Sequence, residues 1–340
     1  MRDNKGNMKK IYILFFPVLL LLVSCEVEFS PNAEWKEVPV VYCVLDQDDD
    51  TTWARVEKCY LGDGDIYSYS SISDSFNYPE GYLQVALLAY KNGQIVDSMP
   101  FTHSVVDREN GDFVATDQPV FFCRTRNRLD VENTYVLSVR RASDGSLLTT
   151  SQPVPLIAKT RDQVISKPTN TQTFGFYDHN SGSPTAFCRI EWPALQNARL
   201  YQPVIRFYYV VDGDTTYIDL KCSTVKGTAN RVSYSTNYSR DMFLADVKKQ
   251  LQDDPRQKYF AKKVDIYLMA CSEELNAYMN AVSATSDIDQ SHEVYTNMTD
   301  GLGIVAARRT HLYKRVPADT SVAPNQGLYY LLKNLGINMQ

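Results

Sequence analysis

One thiol, Cys25, stands in a setting that specifies a reaction. It follows the small residue Ser24, at the end of an apolar run from Ile11 to Val23 that contains one proline, Pro17, and is preceded by Lys9 and Lys10. Basic, apolar and small segments in that order form a secretory signal, with the cut at the small residue. The run holds about thirteen residues, whereas a membrane-spanning helix needs about 20. Cys25, Glu26 and Glu28 then follow at once. The expectation is removal of residues 1–24, counted from Met1 although Met8 can also serve as the start, which leaves a reactive thiol at a membrane surface. Its chemistry there is acylation, and two or more acyl chains anchor durably where one binds only marginally.

Other residue types point to weaker possibilities. Asp46, Asp48, Asp49 and Asp50, then Asp63 and Asp65, could offer hard oxygen ligands to calcium, but their spacing is not that of an EF-hand loop. A solvated acidic turn is expected, with no metal and no cofactor. His103, His179, His292 and His311 are scattered. No HExxH, GxSxG, Walker A or GxGxxG frame is present, so no catalytic residue is assigned and the chain reads as non-enzymatic. Beyond Cys25 there are Cys43, Cys59, Cys123, Cys188, Cys222 and Cys271, without scaffold spacing, and buried thiols are expected rather than bridges. Loss of residues 1–24 removes four basic groups and one acidic group, taking the formal charge from -5 to -8. So acidic a chain is a poor binder of nucleic acid or anionic headgroups, and attachment must rest on lipid.

Several elements are readable. Residues 26–36 form a tether, followed by two expected units, 37–157 and 158–340, separated near Pro153, Pro155 and Pro168. The 23 tyrosines and 12% aromatic content favour strands, and the fold class expected is mainly β, two sandwiches with short helices inserted in the second. Hairpins are expected around Asp46–Asp50, at Asn92-Gly93 and at Asp212-Gly213. Tyr135, Leu137 and Val139 alternate in a strand that turns at Asp144-Gly145. A helix over Asp241–Gln252 should bury Leu244, Val247 and Leu251. A second, after Ser272, carries Glu273 and Glu274 in its first turn and a stripe of Leu275, Tyr278, Met279 and Val282, expected to face the core.

Four resemblances add to this reading. Leu22-Val23-Ser24-Cys25 resembles the lipobox of bacterial lipoproteins, implying acylation of the Cys25 thiol, cleavage before it, acylation of the new amine, and anchorage at the outer membrane. Leu129 through Tyr135 resembles the tyrosine corner of immunoglobulin-like and fibronectin type III sandwiches, whose hydroxyl bonds back to upstream backbone. Asp50-Thr51-Thr52, Asp97-Ser98-Met99 and Asp214-Thr215-Thr216 resemble the tripeptide that Bacteroidetes O-glycosylate after export, marking Thr51, Ser98 and Thr215. Taken with the Glu-Glu-Leu-Asn-Ala-Tyr helix and the Gly301-Leu-Gly303 strand, the chain resembles the two-domain Bacteroidetes lipoproteins classed as a domain of unknown function, 4249-type. That resemblance implies surface capture beside a TonB-dependent outer-membrane transporter as partner. The rival expectations are a fimbrial or adhesin subunit and a surface glycan or peptide hydrolase.

Overall fold

Period-two burial organises the first half of the chain. The computed structural model describes residues 37–59, 76–107, 117–158, 174–178, 180–228, 230–283, 295–318 and 327–339. β1 (Pro39–Asp46) and β2 (Thr51–Lys58) form the hairpin expected around the acidic turn. Val41, Cys43 and Leu45 of β1 are buried, and Tyr42 and Val44 point the other way because side chains alternate along a strand. β3 (Leu83–Lys91) returns as β4 (Gln94–Pro100) through Asn92 and Gly93, whose φ values of 53° and 79° suit a tight two-residue turn. β5 (Thr102–Asp107), β6 (Asp117–Arg124), β7 (Thr134–Arg141), β8 (Leu147–Ser151) and short β9 (Val154–Pro155) follow. Tyr135, Leu137 and Val139 are fully buried, as their alternation predicts.

The second half opens with β10 (Tyr177–Asp178), β11 (Ser183–Pro184) and β12 (Phe187–Pro193). The long strand β13 (Leu200–Val211) turns at Asp212 and Gly213, both at positive φ, into β14 (Asp214–Lys221). β15 (Val225–Lys226) and β16 (Ser233–Ser239) lead to helix α1 (Arg240–Leu251). Ser239 caps this helix by accepting the Met242 N–H at 3.0 Å. Its buried face is Phe243, Val247 and Leu251, so Phe243 takes the place expected for Leu244, which is only partly buried. β17 (Lys258–Cys271), α2 (Glu273–Ser283), β18 (Met298–Thr299), β19 (Leu302–Pro317), α3 (Gly327–Lys333) and β20 (Ile337–Met339) complete the chain, which is mainly β as expected. None of the helices formed by described residues is long and apolar enough to cross a membrane.

Two large sheets share the core. One has ten strands, in the order β14-β13-β17-β19-β1-β2-β6-β5, with β15 also on β13 and β20 on β17. The other has six, in the order β18-β8-β7-β3-β4, with β9 on β7. The expected division at 157/158 is crossed twice. Leu302–Arg308 of β19 pairs in parallel with Val40–Asp46 of β1, and β18 pairs with β8. From Arg308 onward β19 pairs instead with β17, so one strand carries the sheet from one half of the chain to the other.

Gly303 is explained by this crossing. Gly303 has φ +100°, and a Cβ there would collide with the Val41 carbonyl oxygen across the ladder. Buried Asn297 imitates a strand partner. Its amide donates to the Val305 carbonyl at 2.7 Å and its oxygen accepts the Val305 N–H at 2.9 Å.

Tyrosine hydroxyls tie both halves to nearby backbone. Tyr135 accepts the Asp130 N–H at 2.7 Å, with the Asp130 carbonyl 3.3 Å away as its own acceptor, which is the upstream bond that the corner resemblance implies. Tyr201 does the same with Leu195, at 3.0 and 3.4 Å, and Tyr234 with Thr228, at 2.8 and 2.9 Å. Each buries an aromatic ring while its polar tip stays hydrogen-bonded, which avoids the roughly 1–3 kcal/mol cost of an unpaired buried hydroxyl.

Candidate binding groove

The outer face of the ten-stranded sheet is where α2 departs from expectation. Its stripe does not enter the core. Leu275 and Tyr278 are half-buried, and Met279 and Val282 are exposed. The start of the helix explains its course. Ser272 donates its N–H to the Ala307 carbonyl at 2.9 Å and accepts the Ala307 N–H on its hydroxyl at 3.2 Å, which fixes α2 beside β19. Arg199 then holds Glu273 at 2.9 Å. Ile304 and Ala306 lie on the side of β19 turned away from the sandwich core and are nonetheless buried, beneath this helix.

An open groove of about 370 Å³ runs between α2 and the β1–β2 hairpin. Its apolar lining is Tyr42 and Val44 of β1, Trp53 of β2, Ile304 of β19, and Leu275 and Tyr278 of α2. That volume is within the roughly 300–1,000 Å³ of small-ligand sites. Trp53 is 47% exposed, yet its ring packs on Phe122 at 5.4 Å, so the indole is presented in a fixed orientation. Tyr42 meets Tyr278 edge-on at 6.2 Å. Burial and the neighbouring Tyr278 hydroxyl push the Tyr42 phenol up, so it stays neutral. Arg55 lies 4.9 Å over the Tyr42 ring and is tethered to Glu57 at 3.0 Å.

The polar end of the groove is made by the acidic turn. Asp46 is buried rather than solvated, and accepts from Arg308 Nε at 2.7 Å and from the Asp48 N–H at 3.0 Å. Asp48 in turn accepts the Thr310 N–H at 2.7 Å. The guanidinium of Arg308 is 41% exposed with its second edge 4.0 Å from Asp49, a carboxylate 63% exposed. Asp50 pairs with Arg126 at 3.0 Å. These carboxylates serve arginines and backbone amides, and among the described residues no group of three or more His, Cys, Asp or Glu side chains could hold a metal ion. Asp63 and Asp65, like Cys25, His179 and His292, lie outside the described residues.

A second cavity, of about 420 Å³, lies between the end of α1 and the α3–β20 turn. Its charges other than exposed Lys248 are already committed. Arg256 is held by Asp254 at 2.8 Å and Asp212 at 3.1 Å, and Lys258 donates to the Asp254 and Arg256 carbonyls. The groove is the better candidate because its Arg308 and Asp49 keep exposed bonding edges.

The hydroxyls marked in the sequence fall in different settings. Thr51 is half-buried and lines the groove, while Ser98 on β4 and Thr215 on β14 are exposed. The described cysteines are free, and all but Cys59 are buried, as expected. Sequence reading missed Tyr42, Trp53, Tyr278 and Arg308 as a group. One signal was available, since β2 alternates Thr52, Ala54 and Val56 inward with Thr51, Trp53, Arg55 and Glu57 outward, placing a tryptophan on a polar face. No protein-family model and no curated protein sequence matches the chain.

Proposed function

We propose that this chain is an exported lipoprotein, anchored to the outer membrane through acyl groups on Cys25, that binds a ligand in the groove between α2 and the β1–β2 hairpin and does so without catalysing a reaction. The observation that carries the binding reading is Trp53, an indole half in solvent yet braced by Phe122, beside an oriented Arg308. A rigid aromatic and a pre-positioned guanidinium cost little ordering entropy on binding. The anchor rests on the basic, apolar and small order of residues 9–25. Resemblance to the 4249-type lipoproteins suggests a TonB-dependent transporter as the neighbour to which ligand passes.

Two measurements test this. Metabolic labelling with a fatty acid in the native host should mark the wild type and not Cys25→Ala, and equal label would remove the anchor. A photo-crosslinking residue at position 53 should capture a specific adduct in the intact envelope while the same residue at position 217 captures none. Equal capture at both would remove the groove as the binding site.

A further inference from the structure

The groove has a definite chemical bias. Its walls are aromatic and aliphatic, and its one polar end offers an acceptor and a donor together: exposed Asp49, and the guanidinium edge of Arg308 that Asp46 leaves unused. An anionic ligand would have to compete with Asp46 and Asp49 for that arginine. A cationic ligand would meet Arg308 at the polar end and find the Tyr42 ring already taken by Arg55 at 4.9 Å. Neutral hydroxyl groups face neither obstacle, because a hydroxyl both donates to a carboxylate and accepts from a guanidinium. The exposed Trp53 ring, steadied by Phe122, supplies a flat apolar surface for a ring whose faces are C–H and whose rim is O–H.

Resting on the binding function proposed above, we infer that the ligand is a neutral saccharide, with a sugar ring stacked on Trp53 and adjacent hydroxyls bridging Asp49 and Arg308. Specificity then lies in the rim hydroxyls that reach both charged groups. A sugar lacking one of the pair leaves a desolvated group unpaired, the usual source of strong discrimination.

The test uses the complete acylated protein in detergent micelles on an array holding neutral oligosaccharides, uronic-acid and sialylated oligosaccharides, and acidic and basic peptides. Neutral oligosaccharides should bind, with little change between low and high salt. Trp53→Ala should weaken that binding at least tenfold, Trp53→Phe should restore part of it, and Asp49→Asn should cost several-fold, while the thermal transition stays in place for all three. If charged sugars or peptides bind and neutral sugars do not, and Trp53→Ala abolishes that binding, the saccharide assignment falls and the groove stands. If neutral sugars bind equally to Trp53→Ala, they bind elsewhere and the inference is overturned. No binding by any member of the array overturns it too, and the crosslinking comparison at positions 53 and 217 then decides the groove separately.

Discussion

Two stretches of the same outer sheet face use nearly the same residue types to opposite ends. On β13, β14 and β17, Arg206 grips Asp219 with two bonds of 2.7 and 2.8 Å and lies 3.7 Å over Tyr217 and 4.5 Å over Tyr267. Tyr208 donates to Asp265 at 2.8 Å, and Lys263 lies 3.9 Å over the Tyr208 ring. On β1, β2 and β19 the comparable groups leave a hollow, with Trp53, Arg308 and Asp49 turned partly to solvent. Tyr217 and Trp53 are exposed almost equally, at 48% and 47%, so exposure does not separate them. What separates them is whether the ring face and the charge are already answered. A stretch whose groups satisfy one another contributes to stability, and one whose groups are oriented but unsaturated is available to a ligand.

The largest test strikes what the two stretches share. Gly303→Ala should push β19 off β1 and cost more than about 3 kcal/mol, through backbone strain and lost ladder pairing. Urea denaturation would measure it, and a cost near 1 kcal/mol would mean that the ladder adapts. Next, Arg206→Ala strips a bidentate partner from Asp219 and a cation from two rings. Allowing for its partial exposure, the loss should be roughly 2 kcal/mol with ligand binding unchanged. Asp46→Asn should cost roughly 1 kcal/mol and loosen Arg308, so here stability and binding fall together. Smallest in stability is Trp53→Ala, expected within about 0.5 kcal/mol of wild type while binding is lost. If Trp53→Ala destabilised more than Arg206→Ala, the assignment of the two stretches would have to be exchanged.

Thiols beneath the sheet give a further check with a definite sign. Burial pushes Cys43, Cys188 and Cys222 up to about 12. An unfolded chain ionises its thiols near the ordinary value of roughly 8.5, so between that pH and about 12 the unfolded state releases protons that the folded state retains. Stability should therefore fall as pH rises through that window and not as pH falls. Among the described cysteines, Cys59 should react with a thiol reagent at neutral pH before unfolding and the buried ones only after it.

The local parts of the fold were readable because their causes are local. Asn92-Gly93 and Asp212-Gly213 fix hairpins through residues that tolerate positive φ. Tyr135 bonds back to Asp130, five residues upstream, and Tyr201 to Leu195, six upstream, both within a single turn of chain. Pairing of β1 with β19 had no local cause, since no residue type encodes a parallel partner so far along the chain. The groove was hidden for the same reason. Trp53 was legible as a strand residue and Asp46 as a turn residue, but Arg308 and Tyr278 join them only through that long-range ladder. The α2 stripe misled because an amphipathic helix lying on an outer sheet face has the same periodicity as one in a core.

That ladder also sets the order in which the molecule can assemble. Asp46 and Arg308 are bonded across 262 residues, so β1 must wait for its parallel neighbour until nearly all of the chain has been made. High sequence separation slows folding, because loop closure must be met before the contact rewards it. Until then β1 presents an open edge carrying Val41, Cys43 and Leu45. A chain ending before residue 297 should accordingly be degraded or aggregate in the cell, and its accumulation as a stable folded fragment would show that the early strands can close without β19. Charged residues at a strand edge oppose pairing with other chains, and the acidic turn places four carboxylates beside β1, one of which, Asp46, is taken up by Arg308 once β19 is in place.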